Sequence, residues 1–166
     1  MTAYRLPHSS CSLFTSGTRH GQHPERDHDR LDHGKVQLVA HYLLSAEADF
    51  SAAHRLPGVD RCDRLHGHNW RIRLTVRVSE SAVGEDGMAV DFRDIEQIAR
   101  SVVEDFDHAY LNDLEPFRNG PPTAERLAKV VCERATARLS QAAPAARVEQ
   151  VEAWETPHYR IVFRPV

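Results

Sequence analysis

The chain has 166 residues, of which 41% are hydrophobic and 27% are charged, and its formal net charge is −3 with the histidines neutral. This composition is typical of a globular protein, and the small negative charge argues against nucleic acid or an anionic membrane as the main partner. Three cysteines without a C-x-x-C pair argue against a disulfide framework and favour a reducing cytoplasm, and no apolar run is long enough to cross a membrane.

The first part of the chain, residues 1–35, is predicted to be a disordered arm. It mixes polar and charged residues with few large apolar groups, so burial could not offset the entropy cost of ordering. The tract from His20 to His33 is also compatible with loose metal binding, and an extension upstream of the true start is a third interpretation. The folded domain is therefore expected to occupy residues 36–166.

Two long strands are predicted next. Residues 37–50 carry apolar and aromatic side chains without Gly or Pro, and residues 55–65 have the composition of a loop. In residues 69–78 apolar and polar side chains alternate, which indicates a strand with one buried face and one basic or polar face. A turn over 79–87 then precedes a short strand predicted over 88–92.

Two helices and a closing hairpin complete the predicted order. Asp91 is a suitable N-cap for a first helix that ends near Asp105, and Thr123 is a suitable N-cap for a second helix. Residues 148–155 and 159–163 are predicted to pair as the closing hairpin. Strand pairs with grouped helices predict an α+β domain, with an antiparallel four-stranded sheet and both helices on one face.

The spacing of three histidines predicts a metal site. His66 and His68 open the alternating strand, and residues two apart in a strand point to the same face. His54 ends the preceding strand, so a hairpin would bring it opposite the other two. Three neutral imidazoles with an open fourth position are typical of catalytic zinc, although imidazole also suits iron, copper and nickel. A chance H-x-H pair in a His-rich chain is the alternative.

Cys62 lies between these histidines, in the loop four residues before His66. A nearby metal and flanking arginines would favour its thiolate, which could act as a general base. The residues leave two alternatives equally open. Cys62 could be a loop thiol without a task, or it could be a fourth ligand that closes the metal site.

Three further residues are candidates for proton transfer or substrate binding. The adjacent Asp107 and His108 could form an oriented acid–base pair, although taken alone they are better explained as a polar loop that closes a helix. Glu155 could accept paired N–H donors from the guanidine-like edge of a planar heterocycle, or it could be exposed on the polar face of its strand.

Six short motifs follow one another in a distinctive order. They are FSAAHRL at 50–56, CDRLHGHN at 62–69, VDF at 90–92, DHAYLN at 107–112, PTAE at 122–125 and ET at 155–156. In residues and order they resemble the 6-pyruvoyltetrahydropterin synthase / 6-carboxytetrahydropterin synthase family. The resemblance extends over residues 40–165, and the residues before 36 have no counterpart in it.

The resemblance implies the tunnelling fold, in which subunits pair their antiparallel sheets into a barrel. It also implies a homohexamer with active sites at subunit interfaces, and a small pterin as the substrate. The site residues that it implies are His54, His66 and His68 for zinc, Cys62, Asp107 and His108 for catalysis, and Glu155 for anchoring the pterin.

Spacing within the family implies a branch. Three residues separate Cys62 from His66, which resembles the bacterial 6-carboxytetrahydropterin synthases of queuosine biosynthesis. The implied reaction converts 7,8-dihydroneopterin triphosphate to 6-carboxy-5,6,7,8-tetrahydropterin, acetaldehyde and triphosphate. The alternatives are a 6-pyruvoyltetrahydropterin synthase, an aldol-cleaving enzyme of the same fold, and a non-catalytic zinc- or pterin-binding module. Arg55, Arg61 and Arg64 are candidates for holding the phosphates.

Overall fold

A computed structural model describes residues 40–166, and the arm predicted over 1–35 lies outside this range. The strands are β1 (His41–His54), β2 (His66–Ser79), β3 (Ala109–Tyr110), β4 (Ala146–Thr156) and β5 (Tyr159–Phe163), and the helices are α1 (Phe92–Ser101) and α2 (Ala124–Ala142). Within the described range, the five strands form one sheet in the order β3-β1-β2-β4-β5.

The predicted α+β class is confirmed, but the predicted four-stranded antiparallel sheet is wrong in its strand count. Strands β1, β2, β4 and β5 pair antiparallel, whereas β3 adds a fifth strand that pairs parallel with β1. Because β3 has only two residues, it cannot display the alternation of side chains by which strands are recognised in a sequence.

The prediction of a short strand over 88–92 is also wrong. These residues close a turn, in which the N–H of Gly84 donates to the carbonyl of Met88 at 2.9 Å and the N–H of Met88 donates to Asp86 Oδ1 at 3.0 Å. Since the backbone groups of the segment bond locally, it does not join the sheet, and α1 begins directly at Phe92.

Both predicted N-caps are confirmed. The carboxylate of Asp91 accepts from the N–H of Arg93 at 2.8 Å, and the hydroxyl of Thr123 accepts from the N–H of Arg126 at 3.3 Å. Helix α1 is shorter than predicted, because it ends at Ser101, whose hydroxyl donates to a main-chain carbonyl three residues earlier at 2.9 Å. Within the described residues, neither helix is long and apolar enough to cross a membrane.

The hairpin of β1 and β2 is the longest pairing in the sheet. Its antiparallel register matches His41 with Ser79 at one end and His54 with His66 at the other. The first strand therefore extends four residues beyond the predicted end at Phe50, and it carries His54 as its last residue. This extension brings His54 into the pairing with β2 and makes it part of the sheet.

The two faces of β2 differ as the alternation predicted. Arg71 and Arg73 lie on the polar face, where they form ion pairs with Asp49 and Glu47, their partners in the register. The opposite face packs against both helices in a single hydrophobic core. Large buried residues of this core are Trp70, Ile72, Leu74, Val76 and Val78 of β2, Ile95 of α1, and Leu127 and Leu139 of α2.

Leu74→Ala is expected to lower the free energy of unfolding by about 2–5 kcal/mol, because the substitution leaves a cavity in the centre of this core. Leu43→Ala is the matched control: Leu43 lies on β1 with 57% of its surface exposed, so its loss should change the free energy by less than about 0.5 kcal/mol. Urea unfolding followed by circular dichroism measures both. Equal losses would contradict the assignment of the two faces.

Candidate metal and acid–base site

Three histidines converge at the end of the β1–β2 hairpin. His54 lies opposite His66 in the register, and His68 follows two residues later on the same face of β2. The ring centroids are separated by 4.5 Å for His54 and His66, 5.2 Å for His54 and His68, and 4.9 Å for His66 and His68. Their possible ligand atoms all lie within 4.8 Å of one another, so the three side chains could hold a metal ion.

The imidazoles of His66 and His68 lie on the same face of β2 as its buried side chains and extend that row of alternate residues. The next residue in that row, Trp70, meets His54 and His68 edge-on, with centroid distances of 5.3 and 5.7 Å. His54 is fully buried, whereas His66 and His68 are half-buried. The cluster therefore rests on the apolar core and remains accessible from outside through its two half-buried members.

Main-chain carbonyls orient two of the three rings. Nδ1 of His54 lies 2.9 Å from the carbonyl oxygen of Pro122, and Nδ1 of His66 lies 2.7 Å from that of Arg64. Because a carbonyl oxygen can only accept, each Nδ1 carries a proton, and in the neutral ring each Nε2 presents a free lone pair. Metal-binding histidines are commonly held in this way by a hydrogen bond from the other ring nitrogen.

Two of the Nε2 atoms lack a partner among the described residues. Nε2 of His54 and Nε2 of His68 are buried without a hydrogen bond. A buried polar atom without a partner costs about 1–3 kcal/mol. Burial also lowers the pKa of His68, which favours the neutral imidazole that a metal ion requires. The donor set therefore fits a cation bound between the three rings.

Glu155, near the end of β4, lies against the same cluster. Its Oε1 is 3.2 Å from Nε2 of His54 and 3.7 Å from Nε2 of His68. Protonation of His54 at Nε2, which lets the ring donate to this carboxylate, is the main cause of the lowered pKa of Glu155. The carboxylate is thus partly buried and held ionised beside the histidines, not exposed on the polar face of the sheet.

Asp107 and His108 form a pair that is attached to β1. Nδ1 of His108 lies 2.9 Å from Asp107 Oδ2, and Asp107 Oδ1 accepts from the N–H of Ser51 at 2.8 Å. The Ser51 N–H, and after it His108, lower the pKa of Asp107. The N–H of His108 in turn donates to the Ser51 carbonyl at 2.6 Å. The main chain of Ser51 therefore fixes both residues of the pair.

His108 combines an unusual backbone conformation with an exposed side chain. Its backbone is left-handed, with φ of 56°, which is uncommon for a residue other than glycine and occurs frequently at functional sites. The side chain is 83% exposed, and it lines a surface recess together with His68. The structure therefore brings His108 of the predicted acid–base pair and His68 of the histidine cluster to one recess.

Cys62 lies in a short 3₁₀ helix, Asp60–Asp63, and is half-buried. The group of ligand atoms within 4.8 Å of one another comprises the three histidines and does not include its sulfur. The arrangement of the described residues therefore does not support Cys62 as a fourth ligand that closes the site.

Asn112 was not among the predicted site residues, although it lies within the DHAYLN motif. Its Oδ1 accepts from the N–H of Arg55, and its Nδ2 donates to the carbonyl of Arg55, both at 2.9 Å. The side-chain amide thus bonds to the N–H and the carbonyl of the residue directly after His54, as the main chain of a neighbouring strand would. The motif alone could have marked Asn112 as a candidate, but only the fold reveals its partner.

Comparison with known families matches residues 43–165 to the family described as 6-pyruvoyl tetrahydropterin synthase. A putative 6-carboxy-5,6,7,8-tetrahydropterin synthase of Archaeoglobus fulgidus is 38% identical over 71 residues, which cover 43% of this chain and 59% of that protein. The chain thus spans somewhat more than half the length of this relative. The 6-pyruvoyl tetrahydrobiopterin synthase of Drosophila melanogaster is 30% identical over 137 residues, which cover 74% of this chain and 79% of that protein.

Solved structures show the same fold. The 6-pyruvoyl tetrahydropterin synthase of Caenorhabditis elegans aligns with a TM-score of 0.66 and 23% identity, covering 77% of this chain and 98% of that one. The Plasmodium falciparum protein of the same description aligns with a TM-score of 0.55 and 18% identity, covering 75% and 98%. At these identities the likeness concerns the arrangement of strands and helices.

His66→Ala is expected to weaken the binding of a divalent transition metal by about a hundredfold or more, since loss of an outer-shell partner alone costs about 10–100-fold. Titration with cobalt(II), followed by its visible absorption, measures the change. His158→Ala is the matched control, because His158 lies in the turn between β4 and β5 and outside the histidine cluster. Stoichiometric cobalt in His66→Ala would contradict the three-histidine site.

Proposed function

The chain belongs to the 6-pyruvoyl tetrahydropterin synthase family, and on that basis we propose that it is a zinc-dependent 6-carboxy-5,6,7,8-tetrahydropterin synthase of queuosine biosynthesis. The proposed reaction converts 7,8-dihydroneopterin triphosphate and water to 6-carboxytetrahydropterin, acetaldehyde and triphosphate. The observation that carries the proposal is the convergence of three imidazoles in one cluster, of which His68 lines a surface recess together with His108.

The metal ligands in this proposal are His54, His66 and His68. Zinc suits three imidazoles, and a set of three protein ligands leaves a position open for substrate. When bound, zinc would supply Lewis-acid chemistry to the oxygen atoms of the substrate side chain. The protein sets the tautomers of His54 and His66, because the carbonyls of Pro122 and Arg64 keep the proton of each neutral ring on Nδ1.

Proton transfer is assigned to Cys62 and His108. The Cys62 thiolate takes a proton from the substrate, and His108 returns one. Because Nδ1 of His108 is bonded to Asp107, its Nε2 is the atom available for this transfer. Asp107 is suited to its orienting role, since the Ser51 N–H both fixes the carboxylate and keeps it ionised.

Glu155 is assigned to the pterin. An ionised carboxylate can accept two N–H bonds from the amino-pyrimidine edge of the ring, and the lowered pKa of Glu155 favours that state. Its position beside the histidines would place the bound ring next to the metal ligands. In this proposal Glu155 therefore binds the substrate at a position adjacent to the metal ligands.

The second candidate function is 6-pyruvoyl tetrahydropterin synthesis with the same site. The similarity to the Drosophila protein, which covers most of both chains, supports it. The three-residue spacing between Cys62 and His66 favours the carboxy branch. We also propose a cytoplasmic homohexamer with active sites at its subunit interfaces, as the resemblance to the family implies.

Mass spectrometry of the products tests the proposed reaction directly. Zinc-loaded protein incubated with 7,8-dihydroneopterin triphosphate is expected to yield 6-carboxytetrahydropterin and acetaldehyde. A 6-pyruvoyl product would establish the second candidate instead. If the zinc-loaded full-length protein gives no product, while a known synthase is active in the same assay, the assignment as an enzyme for this substrate is wrong.

Cys62→Ala is expected to reduce turnover by about 10²–10⁴-fold while bound zinc is retained, because the substitution removes the proposed base and no ligand. Cys132→Ala is the matched control, since Cys132 is buried in α2 and has no part in the proposed chemistry. Steady-state kinetics and metal analysis of both variants provide the measurement. Unchanged turnover in Cys62→Ala would show that the base is another group.

A further inference from the structure

We propose that the side chain of Arg55 is a positioning group that ties the loop bearing Cys62 to the end of β1, directly beside His54, where the main chain of the same residue holds the segment bearing His108. This inference rests on the proposed function for its catalytic meaning, since the two attached groups are the proposed base and acid. The contacts themselves belong to the fold and do not depend on the substrate.

The side chain of Arg55 closes the base of the Cys62 loop. Its Nε donates to the main-chain carbonyl of Asp63 at 2.6 Å and to Asp63 Oδ1 at 2.8 Å, while Nη2 lies 2.8 Å from the same Oδ1. Asp63 directly follows Cys62 in the chain, and the N–H of Leu56, directly after Arg55, donates to the Cys62 carbonyl at 2.8 Å. The loop therefore returns to the strand end at which it began.

The main chain of Arg55 holds the second segment. Its N–H donates to Asn112 Oδ1, and its carbonyl accepts from Asn112 Nδ2. At the other end of the same segment, the main chain of Ser51 bonds to Asp107 and His108. These bonds bracket the two-residue strand β3, which is too short to hold the segment by its own pairing.

The energetics favour a role in placement over one in overall stability. The side chains of Arg55 and Asp63 are 49% and 41% exposed, and ion pairs with such exposure shift an equilibrium by about 1.5- to 5-fold. Such a contribution is small beside the stability of a domain, but it is enough to shift a local loop equilibrium. Displacement of a catalytic group by about 1 Å can reduce turnover a hundredfold.

The geometry also distinguishes this role from phosphate binding, for which Arg55 was a candidate on sequence grounds. The guanidinium already makes a forked contact to Asp63. A lysine could replace arginine as a point charge toward phosphate, but it could not reproduce the fork. Arg55→Lys therefore separates the two roles.

Hydrogen–deuterium exchange of the full-length protein, without substrate, tests the contact. Arg55→Ala, Asp63→Ala and the double variant should each speed amide exchange in residues 56–63 by about 1.5- to 5-fold. The double variant should be no faster than Arg55→Ala, because that substitution already removes every side-chain contact to Asp63, whereas Asp63→Ala keeps the bond to the main-chain carbonyl. Arg100→Ala, which removes an exposed ion pair with Glu96 on α1, is the control and should leave the loop unchanged. Unaltered exchange in the Arg55 and Asp63 variants would overturn the proposal.

Steady-state kinetics test the catalytic consequence. Arg55→Ala, Arg55→Lys and Asp63→Ala should each lower kcat by about tenfold, with KM changed by less than about twofold and bound zinc retained. A different pattern would overturn the positioning role and assign Arg55 to phosphate binding. In that pattern KM rises in Arg55→Ala, returns to the wild-type value in Arg55→Lys, and is unchanged in Asp63→Ala. The exchange result stands even if the wild-type protein does not turn over the pterin, so the two proposals fail separately.

Discussion

The antiparallel register of β1 and β2 is the constraint on which the rest of the site depends. It places His54 opposite His66, and a shift of one residue would turn the imidazoles of the two strands to opposite faces of the sheet. The buried row that ends in Trp70 opposes such a shift on one face, and cross-strand ion pairs oppose it on the other. The interactions that stabilise the hairpin therefore also set the distances between the imidazoles.

A single strand, β1, supports both parts of the site because its side chains and its main chain point in different directions. Side chains leave a strand perpendicular to the sheet, so His54 reaches the cluster on the helix-covered side. The N–H and carbonyl groups lie in the plane of the sheet, so those of Ser51 and Arg55 are free to hold the neighbouring segment at the edge. The side chains of Asp107 and Asn112 take the place of strand neighbours, which explains how a two-residue β3 suffices.

Structure that depends on neighbours along the chain leaves a pattern in the sequence, whereas contacts between distant positions do not. The alternation in β2 and the N-caps of both helices depend on neighbours along the chain, and these predictions were correct. The histidine cluster required one further assumption, a hairpin, which the fold satisfies. By contrast, Asn112 bonds to a main chain 57 positions away, and His54 to a carbonyl 68 positions away, and neither contact leaves a periodic pattern. The residues near Met88 were predicted as a strand because they are apolar, and the sequence does not show that their backbone groups bond within a local turn.

The carbonyl oxygens of Pro122 and Arg64 give the site an unusual tolerance to change. Every amino acid supplies a main-chain carbonyl, so replacing either side chain leaves the acceptor for His54 or His66 in place. Point substitutions at these two positions that keep the backbone conformation are therefore expected to preserve the orientation of the rings. Insertion or deletion in the segment that leads to either position is not silent, because it moves the oxygen itself. In this protein, loop length constrains the histidine cluster more strongly than the identity of the residues that orient it.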